Sequence, residues 1–298
     1  MKRIFIPNTL VVISVFSLLA FFSSCQKDIN SQNTDDSEEQ AVLVSSEADG
    51  EAQLVFNNVF DDAMGVNNEV GIGGTGVFGR INSCPSVSIE RLHAPDLFPV
   101  KITLDFGTGC VAPDGHFRKG KVITVYTDRL LHPGAMATTH FEDFYFDSIH
   151  VEGIHKITNT SPVATPPTTR QFTVDVTDAK LTKPNGNYTM WDSHKTITQF
   201  EGLSTDSPLD DVFAIQGHSN GKVQRGNLVV LWESSVPANY PLIKKFTCHW
   251  IVKGRIRTVR QNAAANTQWI AILDFGDGSC DNQATISING HTFQITLR

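Results

Sequence analysis

Three carboxylates near the end of the chain have a spacing that could bind a cation. Asp274, Asp277 and Asp281 lie in the stretch LDFGDGSCD, where two glycines permit a tight loop. Calcium takes about six to eight oxygen ligands, so this loop is a candidate calcium site. Aspartate and glycine are also the residues that an ordinary turn selects. We interpret the stretch first as a structural turn, and we keep calcium as the alternative and the only candidate cofactor.

An earlier copy of this turn, ITLDFGTGC, covers residues 102–110. It keeps the aspartate (Asp105), the two glycines and the closing cysteine, but Thr108 stands where the later copy has Asp277. Turn geometry therefore explains what the two copies share. Any function special to the later copy depends on Asp277 and Asp281 alone.

No sequence pattern identifies a catalytic group. The ten histidines show no His-Glu-x-x-His spacing, and the Gly-x-Ser-x-Gly motif of hydrolases is absent. Glu142, Asp143 and Asp147 are the acids nearest an aromatic run, but a glycosidase pair of carboxylates converges only in the fold. Residues 71–79 match Gly-x-Gly-x-x-Gly without the strand and helix that a dinucleotide site needs. We name no catalytic residue and lean against an enzyme.

Aromatic side chains offer a second kind of chemistry, because their faces stack on sugar rings while neighbouring polar groups orient the hydroxyls. Their positions in strand-like runs favour core packing, and a carbohydrate platform is the alternative. The candidates are Trp191, Trp232, Trp250, Trp269, Tyr188 and Tyr240.

The elements that must position these residues are strands. From residue 87 to residue 297, short runs rich in Thr, Val, Ile and Phe alternate with turn residues, and no helical pattern interrupts them. Asn289-Gly290 between two apolar runs is a strong hairpin signal. We predict an all-β fold, an antiparallel β-sandwich or a barrel-like assembly, with a short N-terminal helix.

Weak internal repetition indicates duplicated hairpins. Val252-Lys253-Gly254 leads into a new strand much as Val151-Glu152-Gly153 does, and a third unit begins near Cys84. Gly, Ser, Asp and Pro cluster at residues 201–211. We therefore divide the β region into a first half, residues 81–205, and a second half, residues 206–298.

The region before the strands is unusually acidic. The chain carries a formal charge of −7, and residues 25–51 hold most of it, with Lys27 as their only base. We predict an acidic flexible tether over residues 25–51 and a short amphipathic helix with a Gly-rich entry loop over residues 52–80. The nearly neutral remainder gives no electrostatic footprint for nucleic acid.

The first residues have the features of an export signal. Lys2 and Arg3 precede an apolar run at residues 10–22, and Ser23-Ser24-Cys25 follows. This arrangement resembles a bacterial lipoprotein signal, which implies that residues 1–24 are a signal peptide and that Cys25 carries the lipid, palmitate included. An ordinary signal peptide is the alternative.

The acids behind Cys25 are similar to the export signals of surface lipoproteins of the Bacteroidota type. The chain as a whole resembles the uncharacterised members of that group, a resemblance that implies no activity. It implies a lipid anchor in the outer membrane and display at the cell surface. A merely acidic, solvated segment is the alternative.

With Cys25 lipidated, four cysteines remain in an oxidising compartment, and three pairings are open. The duplicated placement favours Cys84 with Cys110 and Cys248 with Cys280. The spacing offers no closely spaced ligand pairs for structural zinc.

The functional prediction is correspondingly broad. We expect a lipid-anchored envelope protein that binds a glycan or a protein partner without catalysis. A hydrolase acting on glycans and a purely structural envelope protein are the alternatives.

Overall fold

A computed structural model describes residues 29–66, 84–112, 114–163, 169–205, 208–261 and 269–297. One helix, α1, covers Ile29–Gly65, and its side chains are described from residue 36 onward. The strands are β1 (Ser86–Arg91), β2 (Val100–Asp105), β3 (Cys110–Val111), β4 (Phe117–Tyr126), β5 (Met136–Phe146), β6 (Ile149–Asn159), β7 (Arg170–Thr182), β8 (Tyr188–Glu201), β9 (Val212–Arg225), β10 (Leu228–Ser235), β11 (Leu242–Lys245), β12 (Ile251–Arg260), β13 (Ile270–Asp277), β14 (Gln283–Ile288) and β15 (His291–Thr296).

All fifteen strands described belong to one antiparallel sheet. Neighbours in sequence are neighbours in the sheet, except that β3 pairs only with β4, and β10 and β11 lie in turn between β9 and β12. The predicted all-β fold is confirmed. The predicted halves share this sheet, because β8 and β9 pair along almost their whole length.

Helix α1 lies inside the curve of the sheet. Strands β6, β8 to β10 and β12 to β14 pack against it, and Tyr126 on β4 donates a hydrogen bond from Oη to the Ala63 carbonyl at 2.8 Å. Val55 and Met64 are completely buried although they are nine residues apart and therefore lie on opposite sides of the helix. The sheet is therefore rolled around the helix in a barrel-like form.

This position corrects two predictions about the N-terminal region. The flexible tether over residues 25–51 is wrong for residues 29–51, which lie in the helix, and the helix is 37 residues long instead of short. It is buried all round instead of being amphipathic. The Gly-rich loop at residues 71–79 and Cys25 lie outside the described residues.

The acids that indicated a tether are used inside the fold. Asp49 is 1% exposed, and its Oδ1 accepts hydrogen bonds from Trp191 Nε1 at 2.8 Å, Ser219 Oγ at 2.9 Å and Trp232 Nε1 at 3.3 Å. An unpaired buried carboxylate would cost several kcal/mol. Further helix acids lie against basic side chains of the β region: Glu38 with Arg260, Glu39 with His291, Glu51 with Lys183 and Arg225, and Asp61 with Lys244.

The wall that faces the helix is polar along one row of strand partners. The row crosses β4 to β12, is broken by a single valine at β7, and consists of Thr124, Thr139, His155, Ser193, Ser219, Ser234 and Thr258, all buried. Nearby, Lys195 is 2% exposed and its Nζ has no hydrogen-bond partner in the described part of the chain. Burial lowers the pKa of Lys195 to about 8. The core is thus partly a polar interface between helix and sheet.

Glycine bulges recur where the repeat was predicted. The register shifts at Gly153 and at Gly254, where each residue has a positive φ. A Cβ at Gly153 would lie 2.7 Å from the Ala179 Cα, and one at Gly254 would lie 2.2 Å from the Pro241 oxygen. A third such bulge occurs at Gly120 on β4, not near Cys84. Only glycine fits these crowded positions.

The two predicted disulfides are confirmed. Cys84 bonds to Cys110 and Cys248 bonds to Cys280, so each LDFG turn is linked to an earlier segment. Within the described residues, α1 does not have the continuous apolar length that a membrane-crossing helix requires.

A candidate binding groove beside the second turn

The two LDFG turns have the same backbone design. In the first, the Gly107 amide donates to Asp105 Oδ1 at 2.8 Å, and in the second the Gly276 amide donates to Asp274 Oδ1 at 3.0 Å. Both glycines of each turn have positive φ. The aspartate side chain therefore forms an Asx-turn, and the glycines adopt the positive φ that this backbone needs. This shared geometry gives the repeated residues a structural role, although in the second copy residues 274–277 belong to the end of β13.

The surroundings of the turns differ. In the first turn the ring of Phe117 covers Gly109, where an added Cβ would lie 2.1 Å from the ring Cζ. In the second turn a Cβ at Gly278 would meet nothing within 4 Å. The second turn borders an open hollow of about 450 Å³ lined by Asp274, Asp277 and Asp281 among others. Gly107 of the first turn is also open, so the turns differ at one glycine: Gly109 is covered, whereas its counterpart Gly278 is open.

A groove of about 330 Å³ adjoins this hollow, and we call it the Tyr240 groove. Its lining residues are Asn239, Tyr240, Pro241, Ile243, Lys253, Gly254, Arg255, Asp274 and Gly276. The bulge at Gly254 lies between Arg255 and the part of β12 that pairs with β11. The Arg255 amide donates to the Tyr240 carbonyl at 3.1 Å. The close packing of Gly254 against Pro241 therefore places Tyr240 beside Arg255.

An ion pair and an aromatic ring form the centre of the groove. Arg255 Nε donates to Asp274 Oδ2 at 2.7 Å, and its Cζ lies 4.2 Å from the Tyr240 ring centroid. The hydrogen bond from Arg255 to Asp274 raises the pKa of the guanidinium further. Tyr240 is nonetheless 47% exposed. The groove thus combines an accessible aromatic ring with fixed polar groups, the arrangement typical of small-ligand sites.

The candidate calcium ligands do not form a ligand set. Asp274 is bound to Arg255, Asp277 Oδ1 accepts from the Ser279 amide at 3.2 Å and from its Oγ at 3.0 Å, and Asp281 Oδ1 accepts from the Gln283 amide at 2.9 Å. These Ser279 hydrogen bonds lower the pKa of Asp277. No group of three or more His, Cys, Asp or Glu side chains in the described ranges is arranged to hold a metal ion. Each carboxylate instead stabilises its own turn.

The candidate aromatic platform divides into buried and exposed members. Trp191, Trp232 and Trp269 are at most 7% exposed, as core packing predicts. Tyr240 is the member with an open ring in a groove. Its partner Arg255 escaped the sequence reasoning, because it lies fifteen residues after Tyr240 and becomes its neighbour only when β11 pairs with β12. The Gly254 bulge was the only local signal.

The acids near the aromatic run lie elsewhere, in local pairs. Glu142 pairs with Lys121 at 3.4 Å, and Asp147 accepts from the Phe117 amide and contacts His116 Nδ1 at 2.9 Å. His155 is completely buried, and burial lowers its pKa to about 3. These contacts stabilise hairpins and core, and they do not converge on the Tyr240 groove.

Comparison of the chain with protein-family models, with curated proteins and with solved structures gave no match.

Proposed function

We propose that this is a lipid-anchored protein of the outer membrane that binds a glycan at the cell surface through the Tyr240 groove, without acting on it. The observation that carries the proposal is the half-exposed Tyr240 ring beside the Arg255–Asp274 ion pair in an open groove. The ring supplies a stacking surface for a sugar. The ion pair and the neighbouring Asn239 and Lys253 supply donors and acceptors for its hydroxyls.

The position of the groove is consistent with outward display. Helix α1 begins at Ile29, four residues after Cys25, so a lipid on Cys25 would hold the start of the helix within about 15 Å of the membrane. Near that start, Glu38 pairs with Arg260 at the end of β12. Arg255 lies about 17 Å back along the same strand. The groove therefore lies away from the end at which the anchor would attach.

The binding proposal is tested on full-length protein in detergent micelles with an array of neutral and charged oligosaccharides. We expect binding to at least one glycan class, and we expect Tyr240→Ala to abolish it. Tyr188→Ala is the matched control, since Tyr188 lies on the outer surface between Lys180 and Lys222. Failure to bind any glycan, or equal binding by the Tyr240→Ala variant, would refute glycan binding in the Tyr240 groove. Release of shortened glycan products would instead indicate the hydrolase.

The anchor is tested separately by metabolic labelling with a palmitate analogue. The wild type should incorporate the label and Cys25→Ala should not, because the thiol is the attachment point. Equal labelling of both would refute lipidation at Cys25, whatever the glycan array shows.

A further inference from the structure

A row of cations leads from the Tyr240 groove along the outer face of β12. Lys253, Arg255 and Arg257 are each flanked by buried residues, so all three side chains face away from the core despite the bulge at Gly254. In the pairing with β13, Lys253 lies opposite Asp277 and Arg255 lies opposite Asp274. Arg257 instead lies opposite an isoleucine on β13 and a serine on β10. The second turn thus supplies an acid for the first two cations and none for the third.

Arg257 lines a pocket of about 350 Å³ together with His218, Asn220, Ser235 and Glu233. In the described part of the chain no carboxylate forms an ion pair with Arg257. The other donors in the pocket are an imidazole, an amide and a hydroxyl, which are groups that bind oxyanions. The pocket therefore offers a guanidinium without an ion-pair partner beside further donors, with Glu233 as the one carboxylate among the described residues that line it.

We propose that the glycan bound in the Tyr240 groove carries a carboxylate or a sulfate, and that Arg257 binds this acidic group in the pocket. A planar guanidinium binds either oxyanion through two parallel hydrogen bonds. Arg255 and Arg257 are about 7 Å apart along the strand, so one short oligosaccharide can reach both sites. The inference rests on the proposed glycan binding and adds the chemical class of the ligand.

One group in the pocket opposes this role. Glu233 carries a carboxylate on the pocket wall and accepts a hydrogen bond from Gln261 Nε2. Its charge repels an incoming oxyanion, so its removal should favour acidic ligands specifically. Glu233→Gln keeps the size of the side chain and removes the charge.

The test uses two pairs of probes on the full-length protein in detergent. Polygalacturonate against its methyl ester isolates the carboxylate, and kappa-carrageenan against its desulfated, uncharged galactan isolates the sulfate. We expect the wild type to prefer the charged member of at least one pair by about tenfold to a hundredfold. Arg257→Gln should remove that preference while binding of the uncharged member stays unchanged. Glu233→Gln should strengthen it, and Lys156→Gln, on β6, should leave it unchanged.

The outcomes separate this inference from the proposed function. Binding of uncharged probes that depends on Tyr240 but shows no charge preference would overturn the role of Arg257 alone. A charge preference that Lys156→Gln reduces as much as Arg257→Gln would also overturn it, because the attraction would then be unspecific. Binding of no probe at all would remove both the ligand class and the glycan function.

Discussion

The two LDFG turns share their capping hydrogen bond, but Gly109 of the first turn is covered by Phe117 whereas its counterpart Gly278 in the second turn is open. Each has an aspartate that caps a glycine turn and a disulfide that links it to an earlier segment. Phe117 lies against Gly109 of the first turn, whereas the second turn borders the Tyr240 groove. The repeated residues therefore have a structural role in both places. The candidate function arises from non-repeated neighbours, Tyr240 and Arg255, which the same scaffold holds in place.

The largest expected effect concerns the property that the turns share. Replacing Cys84 and Cys110 by alanine, or Cys248 and Cys280, should lower the free energy of unfolding by about 2–5 kcal/mol in either case. The effects should be similar because the bridged positions are separated by similar lengths of chain, 26 and 32 residues. Chemical denaturation of the two double variants measures this. A large effect for one pair and none for the other would break the equivalence.

Replacing the capping aspartate should cost less unfolding free energy, and the cost should differ between the two turns. Asp105→Ala removes one turn-capping hydrogen bond and should cost about 1 kcal/mol. Asp274→Ala also removes the partner of Arg255 and should cost about 1.5–2 kcal/mol, the ion pair adding little because it is partly exposed. The matched asparagine variants can keep the cap, so only Asp274→Asn should destabilise. Equal losses for both asparagine variants would show that Arg255 contributes nothing.

Titration should distinguish Asp277, which has no counterpart in the first turn. Its pKa is lowered by Ser279, so the native state favours the charged carboxylate. The resulting stabilisation is present above the ordinary aspartate range and is lost as the pH falls through the lowered pKa. Ser279→Ala should move the pKa upward toward its ordinary value. Carboxyl NMR titration measures the shift, and an unchanged pKa would contradict the assigned hydrogen bond.

The smallest expected effect is that of calcium. Because Asp274, Asp277 and Asp281 each accept local hydrogen bonds, we expect millimolar calcium to leave the melting temperature unchanged. Thermal unfolding with calcium chloride and with chelator provides the measurement. A rise that disappears in Asp277→Asn would establish a site in the second turn and make the difference between the turns one of metal binding.

Local patterns predicted the scaffold well. Alternation and turn residues identified the strands, and the hairpin at Asn289-Gly290 joins β14 to β15 as predicted. Residues 141–151 read as one strand, but Asp147 adopts a positive φ and turns β5 into β6. The sequence gives no sign of this turn, because it is made by an aspartate in the left-handed region instead of by glycine or proline.

The helix shows why the rest was not predictable. Acidic composition indicated a solvated segment, yet Asp49 is buried, with donors from Trp191 and Trp232, which lie 142 and 183 residues further along the chain. Such compensation depends on contacts distant in sequence. The same holds for the groove, where Tyr240 and Arg255 meet Asp274 only after β11, β12 and β13 have paired.

The most direct test of the account compares one aromatic residue beside each turn. Glycan binding by full-length protein would be titrated for the wild type, Tyr240→Ala and Phe117→Ala, with melting temperatures measured in parallel. We predict that Tyr240→Ala loses binding and keeps its melting temperature, while Phe117→Ala keeps binding because its ring only covers Gly109. Loss of binding in Phe117→Ala at unchanged melting temperature, with Tyr240→Ala still binding, would place the function at the first turn and contradict the account.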